Sequence, residues 1–396
     1  MVARRQFLAG LGLATAATAA PRFVWAAVPT DRRLVVVILR GAMDGLSAVP
    51  AYGDPDYEKA RAGIATPKPG DAGGALNLDG FFGLHPQMKG MAARFAGKEL
   101  VVFHAVSSPY RDRSHFDGQN LLENGSVKPY GLADGWLNRA MGGLPTQVKA
   151  SRKDLGVAIA AAMPLIMRGP SAVSSWSPSI LPSPDAALIA RVQALYGETD
   201  PKLSLALSAA SDAQREAAGM SKSGDNFPSL MAAAARFLKA PDGPAIAMVE
   251  STGWDTHAGQ AGAFGSLQRN LAGLDAGVDA CAKEMGEAWS KTAVLCVTEF
   301  GRTVAMNGTA GTDHGTGGAA FLVGGAVNGG RVLADWPGLK PGNLYDGRDL
   351  KPTGDLRSLF KAALRDHMGV DPALLDREVF PDSAAAKATE GLFRDT

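Results

Sequence analysis

The chain has 396 residues, and its 40 Lys and Arg against 39 Asp and Glu give a formal net charge of +1. A chain so close to neutrality lacks the basic surface on which nucleic-acid binding depends, so a nucleic-acid partner is excluded. Glycine (48 residues) and proline (24 residues) are abundant, and this composition predicts long loops over a rigid framework.

The N-terminal segment predicts the compartment. It reads MVARRQFLAG, and a mildly apolar run with a VWA cleavage site follows the paired Arg4 and Arg5. This pattern is typical of a twin-arginine export signal over residues 1–26, and the apolar run is too short to span a bilayer. We therefore expect transport by the twin-arginine (Tat) translocase, a periplasmic or extracellular location, no stable membrane span, and a mature domain over residues 27–396. Without the three arginines of the signal, the formal charge is −2.

Short apolar runs predict the strands in chain order: LVVVIL (34–39), LVVFHAV (100–106), AIAMVES (245–251), AVLCVTE (293–299) and AAFLVGG (319–325). Continuous apolar strands are required in a sheet that is covered on both faces. Apolar residues at intervals of three and four predict helices over 88–95 and 264–285, and Asp355 is placed to cap a third over 355–364. This alternation predicts an α/β fold, a three-layer α/β/α sandwich around a mixed sheet.

The middle of the chain has a different composition. Residues 169–185 are rich in Ser and Pro and predict a loop, and alanine-rich helical patterns follow to about residue 238. We expect 169–240 to form an inserted cap outside the sheet, over the loops. The cysteines, Cys281 and Cys296, lie in a helical and a strand pattern, which favours buried thiols, although an exported chain can also form a bridge.

Polar side chains follow the first two long strands. Asp44 lies in a glycine-flanked turn just beyond the first, where it is either a metal ligand or a turn residue that binds nearby amides. Ser114 begins a helical pattern after the second, and Arg111, Arg113 and His115 flank it. A hydroxyl and two guanidiniums at a helix N-terminus suit phosphate or sulfate, while the alternative is that Ser114 only caps the helix.

The later strands end in the same manner. Asp255 and His257, in GWDTHAGQ, are either a metal-ligand pair or a histidine oriented by a carboxylate. An acid, a guanidinium, a second acid and an imidazole follow the next strand, at Glu299, Arg302, Asp313 and His314. The motifs of lipase-type serine hydrolases, zinc proteases, P-loop nucleotide-binding proteins and dinucleotide-binding proteins are missing from the sequence.

The motifs LRGAMDGLS, RSHFDGQ, GWDTHAGQ, TEFGRT and GTDHG, in this order behind a twin-arginine signal, resemble the DUF1501 family of exported bacterial proteins. That family is grouped with the alkaline phosphatase and sulfatase superfamily, whose members bind two metals at strand ends and use a hydroxyl nucleophile. The resemblance covers essentially the whole mature chain. It implies the superfamily's mixed-sheet fold and a divalent metal (Zn, Mn, Mg or Ca).

The resemblance also assigns roles to residues. It implies metal ligands at Asp44, Asp255, His257, Glu299 and His314. Ser114 is implied as the nucleophile. Apart from the resemblance, His115 is a candidate acid or base because the ordinary pKa of histidine lies near neutral pH, and Arg302 either holds a substrate oxyanion or pairs with Glu299. Arg111, Arg113 and Asp313 complete the predicted substrate-binding set. The chain departs from the superfamily at Phe300, where a phenyl ring stands in place of a ligand histidine and so removes one ligand of a second metal site.

Three hypotheses for the function follow. The first is an exported metal-dependent hydrolase of phosphate or sulfate esters, which acts on a small anionic ester. The second is a catalytically decayed periplasmic binding or assembly protein with the same fold. The third is a serine esterase that uses Ser47 or Ser114 with His257 and Asp255.

Overall fold

The computed structural model describes residues 31–178, 185–216, 226–260 and 265–394. The predicted signal at 1–26 and the first residue of the predicted long helix, Phe264, lie outside these ranges. The strands are β1 (Arg33–Leu39), β2 (Leu76–Asn77), β3 (Gly83–Leu84), β4 (Leu100–Ser107), β5 (Gly156–Ile159), β6 (Val173–Trp176), β7 (Ile246–Ser251), β8 (Thr292–Val297), β9 (Gly318–Val323), β10 (Arg331–Leu333) and β11 (Gly354–Asp355).

The described α-helices are α1 (Gly45–Ala48), α2 (Tyr57–Ala60), α3 (Lys89–Ala96), α4 (His115–Asn124), α5 (Trp136–Gly142), α6 (Thr146–Ala150), α7 (Ala186–Thr199), α8 (Pro201–Glu216), α9 (Phe227–Lys239), α10 (Ser266–Met285), α11 (Leu356–Ala362) and α12 (Pro372–Leu374). Short 3₁₀ helices lie at Leu165–Met167, Gly286–Lys291 and Pro341–Asn343, and π-helical turns at Ala363–His367 and Leu375–Val379. None of the described helices is long and apolar enough to cross a membrane.

The main sheet has nine strands in the order β10-β4-β9-β8-β1-β7-β5-β6, with β11 beside β4. β1 lies between β7 and β8 and is parallel to both. β9 is antiparallel to its neighbours β4 and β8, so the sheet is mixed. The predicted α/β class with a mixed sheet is confirmed.

The two faces of the sheet bury separate apolar clusters. Val35, Val37 and Leu39 of β1 face one cluster, which contains residues of α3, α9 and α10, and the alternate residues of β1 face the other, with α5 and α11. Every residue of β1 from 34 to 39 is fully buried. Alternate side chains of a strand point to opposite faces, so continuous apolar strands need a layer on each side, and the three-layer prediction is confirmed.

The predicted strands and helices agree with the structure within a few residues. The long helix, α10, buries Leu267, Leu271 and Leu274 on one face, as the three-and-four spacing predicts. The Asp355 carboxylate accepts a hydrogen bond from the Arg357 amide at the start of α11, which confirms the predicted cap. Cys281 and Cys296 are free and buried.

The segment 169–240 differs from its prediction. β6 (Val173–Trp176) lies within the stretch expected to be a loop and pairs with β5 at the sheet edge, and α9 is buried in the core. The sequence VSSW did not predict a strand because it is rich in serine. A strand at the edge of a sheet needs to be apolar only in part. α7 has no buried residue. In the described part of this segment, the α7–α8 pair is therefore the part that lies outside the core. Residues 179–184 and 217–225 lie outside the described ranges.

Candidate metal centre

The sheet topology brings the predicted loops to one edge. β1, β7 and β8 are parallel neighbours, so their carboxyl ends lie side by side. β9 is antiparallel to β8, and the residues that precede it therefore reach the same edge. Gly41 allows close approach there, because a Cβ at this position would lie 2.5 Å from the Asp255 amide nitrogen, and its φ of +117° is unfavourable for other residues.

Asp255 is the centre of the arrangement. Its Oδ1 lies 3.4 Å from His115 Nε2, 3.1 Å from His257 Nε2 and 3.3 Å from His314 Nε2. We call these four residues the His–Asp cluster. Arg302 donates to the same oxygen at 2.7 Å. Burial alone would raise the pKa of Asp255, but the positive charge of Arg302 holds it below its ordinary value.

Two of the histidines are held through Nδ1. His115 Nδ1 donates to Glu299 Oε1 at 2.8 Å, and His314 Nδ1 donates to the backbone carbonyl of Arg113 at 2.8 Å. An oxygen at Nδ1 fixes the tautomer of a neutral imidazole and leaves the lone pair on Nε2. In the neutral form of each ring, the Nε2 lone pair therefore faces Asp255.

The third histidine repeats the pattern. His257 Nδ1 lies 3.1 Å from Asp313 Oδ1, and its Nε2 lies 2.9 Å from His314 Nε2. Asn307 Nδ2 also donates to Asp313 Oδ1, at 3.0 Å. Asp313, predicted as a substrate-binding residue, instead contacts and orients His257.

Glu299 lies behind His115. It is fully buried, and its Oε1 also accepts from the Gly41 amide at 2.9 Å and from Gln119 Nε2 at 3.1 Å. Thr298 Oγ1 lies 2.9 Å from Oε2 and 2.7 Å from the Leu39 carbonyl oxygen, so its one proton is shared between these two acceptors. Burial alone would raise the pKa of Glu299, but the His115 and Gln119 hydrogen bonds hold it below its ordinary value. Both oxygens are thus engaged, and Glu299 orients His115 rather than joining the Nε2 atoms.

The phenyl ring of Phe300 supports the imidazoles. It stacks on His115 with ring centroids 5.0 Å apart and an angle of 25° between the planes, and its centroid lies 5.4 Å from that of His314. Gly118 gives this ring its space, because a Cβ there would lie 2.9 Å from Phe300 Cδ1. Phe300 is therefore a packing residue that contacts two imidazoles of the cluster.

Asp44 lies outside the cluster. The buried carboxylate pairs with Arg61 Nη2 at 2.5 Å, accepts from Gln260 Nε2 and from Ser47 Oγ at 2.9 Å, and caps α1 by accepting from the Leu46 and Ser47 amides. Burial alone would raise its pKa, but Arg61 keeps it below the ordinary value. These bonds occupy both oxygens. Ser47 Oγ likewise contacts Asp44, and none of its hydrogen bonds in the described part of the chain is to a histidine.

Ser114 is the N-cap of α4. Its Oγ accepts from the Asp117 amide at a long 3.5 Å, and its own amide donates to Tyr110 Oη at 3.1 Å. The helix places Ser114 directly before His115, whose Nε2 faces the cluster. The structure therefore contains the cap, and its hydrogen bond to the Asp117 amide is long.

The predicted substrate-binding arginines have other partners. Arg113 donates to Asp349 at 2.8 Å and to Asp346 at 2.7 Å, while Arg111 donates to the carbonyls of Ser108 and Tyr110. Their guanidinium groups already bind protein oxygens, and only the backbone carbonyl of Arg113 contacts the cluster.

Arg302 is buried, and two of its nitrogens, Nε and Nη1, have no hydrogen-bond partner in the described part of the chain. Its Nη2 contacts Asp255. Arg302 therefore contacts the cluster through its carboxylate, that of Asp255.

Sequence reasoning missed Gln119, which helps to hold the cluster, and Arg61 and Gln260, which hold Asp44. Gln119 was detectable, since it lies four residues after His115 on the same helix and so on the same face. Arg61 and Gln260 gave no comparable signal, because their contacts with Asp44 span 17 and 216 positions of the chain.

The donor set fits a divalent metal. One ligand atom from each of His115, Asp255 and His314 lies within 4.8 Å of the others, and His257 Nε2 is beside them. Imidazole nitrogens with a carboxylate oxygen suit zinc and other first-row transition metals. The oxygen partners at Nδ1 are the usual outer neighbours of metal-bound histidines.

Comparison with solved structures found several similar chains. The C-terminal periplasmic domain of EcEptC from Escherichia coli, in complex with Zn, is 13% identical, with 89% of this chain and 87% of that chain covered and a TM-score of 0.41. A protein in the alkaline phosphatase superfamily from Vibrio parahaemolyticus is 10% identical, with 79% and 68% covered and a TM-score of 0.35. The phosphonate monoester hydrolase of Agrobacterium radiobacter is 10% identical, with 86% and 74% covered and a TM-score of 0.34.

Comparison with curated proteins found no match. The family model described as protein of unknown function (DUF1501) matches residues 31–379, a range that contains the sheet, the His–Asp cluster and every residue that orients it. The chain belongs to the DUF1501 family.

Proposed function

We propose that this chain is an exported metal-dependent hydrolase of phosphate or sulfate esters, with the His–Asp cluster as its metal site. One observation carries the proposal: each of the three imidazoles presents Nδ1 to an oxygen and Nε2 to Asp255. Asp255 and His257 are both substantially exposed, so burial does not require this part of the arrangement.

The spacing of the imidazoles requires a cation or a shared proton between them, and a cation also suits the carboxylate beside them. With Nδ1 as donor, neutral His257 and His314 direct two Nε2 lone pairs at each other across 2.9 Å. Two acceptors at that distance repel unless a proton or a cation lies between them. A divalent cation between the rings would accept both Nε2 lone pairs and would also bind the Asp255 carboxylate.

The neighbouring residues suit ester hydrolysis. A cation bound by the cluster would supply Lewis acidity toward an ester oxygen and favour the ionised form of a nearby hydroxyl. Ser114, at the N-terminus of the ten-residue α4, is the proposed nucleophile, and the positive end of that helix favours a bound oxyanion. Arg302 keeps Asp255 ionised, and Glu299 holds His115 with Nε2 toward the cluster.

Metal content is the direct test. The purified protein should contain tightly held metal by mass spectrometry, and an Asp255→Ala, His257→Ala double variant should lose it. His85→Gln, which removes an imidazole outside the cluster, is the matched control and should keep the metal. Wild-type protein that stays metal-free after incubation with Zn²⁺ and Mn²⁺ would refute the proposal.

Turnover is the second test. Metal-loaded protein should hydrolyse 4-nitrophenyl phosphate or 4-nitrophenyl sulfate, and chelation should abolish this activity. A serine esterase would instead cleave 4-nitrophenyl acetate with no effect of the chelator.

A second candidate function is favoured by a separate observation. Arg111 and Arg113 bind protein oxygens and Phe300 occupies a ligand position, which suits a metal-containing binding or assembly protein without catalysis. Such a protein would hold metal at the cluster, turn over neither ester, and retain a stable partner on pull-down from the periplasm.

A further inference from the structure

Gln260 connects the two loops that carry most of the His–Asp cluster. Its buried side-chain Oε1 accepts from Thr256 Oγ1 at 2.9 Å and from Thr312 Oγ1 at 2.7 Å. Its Nε2 donates to Asp44 Oδ2 and, at 3.1 Å, to Ser47 Oγ. A side-chain amide offers two acceptor and two donor positions, and all four are used.

The two threonines are placed next to cluster residues. Thr256 lies between Asp255 and His257, and Thr312 comes two residues before His314. Both hydroxyls are buried, and the Thr312 amide also donates to the Thr256 carbonyl at 3.1 Å. One amide oxygen therefore connects the loop that holds Asp255 and His257 to the loop that holds His314.

The orientation of the amide follows from its surroundings. Ionised Asp44 only accepts hydrogen bonds, so the NH₂ group of Gln260 must face it and the carbonyl must face the threonines. Arg61 in turn holds Asp44 in place. Its guanidinium donates to the Asp44 carboxylate and is itself anchored by the carbonyls of Thr303 and Val304. The Asp44–Arg61 pair thus holds the Gln260 side chain in one orientation.

We propose that Gln260 is a positioning residue, which sets the spacing of His257 and His314 by holding Thr256 and Thr312 on one amide oxygen. This inference rests on the proposed metal site, because that spacing determines how well the imidazoles bind a cation. Outer-shell partners of metal ligands typically contribute about 10- to 100-fold to affinity. Gln260 itself binds neither the metal nor a substrate.

The test removes the threonine hydroxyls and leaves Gln260 in place. Thr256→Val with Thr312→Val keeps the side-chain shape but removes both donors, whereas Thr256→Ser with Thr312→Ser retains them. Zn²⁺ affinity, measured by competition with a chromogenic chelator, should fall about 10- to 100-fold in the valine variant and return to near the wild-type value in the serine variant. Equal affinity in all three proteins, or equal loss in both variants, would overturn the inference.

A readout without metal separates this inference from the proposed function. Hydrogen exchange of the chelated protein should become faster at residues 253–259 when only Thr312 is changed to Val, because the Gln260 side chain then no longer joins this loop to the loop of Thr312 and only the other hydrogen bonds between them remain. Unchanged exchange there would overturn the role of Gln260 whether or not the protein binds zinc. Failure of the wild type to bind zinc, with faster exchange in this variant, would refute the metal site alone.

Discussion

The Nε2 atoms of His257 and His314 face each other across 2.9 Å, while the Nδ1 atoms of both rings contact oxygens. This relationship determines how the rings must be protonated. Without a cation, one ring must carry an extra proton to bridge the pair, and with a cation neither does.

Histidine ring NMR can read this difference. In Zn²⁺-loaded protein, both rings should be neutral with the proton on Nδ1 and the metal on Nε2. After chelation, long-range ¹H–¹⁵N spectra should show a proton on at least one of the Nε2 atoms. Identical tautomers in the two states would contradict a metal at this pair.

Substitution of Ser114 can distinguish its proposed role as a nucleophile from its role as a helix cap. Ser114→Asn keeps a side-chain oxygen that can cap α4 but removes the hydroxyl, and it should abolish ester turnover while metal content and melting temperature stay near wild type. Ser114→Ala should also abolish turnover and cost at most about 1 kcal/mol of helix stability, because the cap bond is long at 3.5 Å. Activity retained in the Asn variant would remove Ser114 from the mechanism.

Gly118→Ala should disturb the cluster without touching a ligand. The added methyl group would meet Phe300 Cδ1 at 2.9 Å and displace the ring that supports His115, so zinc affinity should fall by about tenfold. Gly273→Ala is the matched control, because Gly273 lies within α10 and its new Cβ would have no described atom within 4 Å beyond the backbone of its own helix. That control should raise the free energy of unfolding by roughly 0.5–1 kcal/mol and leave zinc affinity unchanged. Equal zinc affinities of the two variants would contradict a supporting role for Phe300.

Arg61→Met should destabilise the protein strongly. It leaves the Asp44 carboxylate buried without its cation, a change that typically costs about 3–5 kcal/mol. Adding Asp44→Asn should recover a large part of this loss, as measured by urea unfolding. Because Asp44 lies outside the cluster, the double variant should still bind zinc with wild-type stoichiometry. Loss of a bound ion in that variant would show that Asp44 is a ligand.

His367 should contribute to the loss of folding stability at acid pH. Its Nε2 donates to the Arg33 carbonyl at 2.8 Å, and burial lowers its pKa from 6.5 to about 4. The unfolded chain therefore binds a proton more readily than the folded one between these values. The stability contribution of neutral His367 is complete above about pH 6.5 and is lost as the pH falls toward 4.

Between pH 7.5 and pH 5, His367 should account for about 2 kcal/mol of lost stability. Urea unfolding of chelated wild-type protein should show this loss, and His367→Gln should show a smaller decrease over the same interval. An identical pH dependence in the two proteins would contradict the assignment.

Local patterns in the sequence predicted the fold better than the roles of the site residues. The run LVVVIL and the spacing of Leu267, Leu271 and Leu274 depend on periodicities that neighbouring residues carry. The strand-end rule placed Asp255, His257 and His314 on one edge, and the structure brings them together. It could not separate Asp44 from them, since the neutralising Arg61 comes directly after the four-residue helix α2, in a stretch with no recognisable pattern.

The roles of Glu299 and Asp313 could not be read from the sequence for a related reason. A carboxylate that binds a metal and one that orients a histidine occupy similar loop positions, and only the contact partners distinguish them. His115 was predicted as an acid or base, and the structure places its Nε2 within the cluster itself. Its contact with Glu299 joins residues 184 positions apart, and a single sequence does not report such pairings.

The antiparallel direction of β9 has a consequence for how the proposed metal site would form. His314 reaches the edge from the start of β9, while Asp255 and His257 follow the end of β7 and His115 begins a helix after β4. No single segment of the chain contains more than two of the four cluster residues, so nascent or fragmented chains would have only weak, incomplete sites. Tight metal uptake would then follow completion of the sheet, and the ion, once bound, would slow the separation of the three segments.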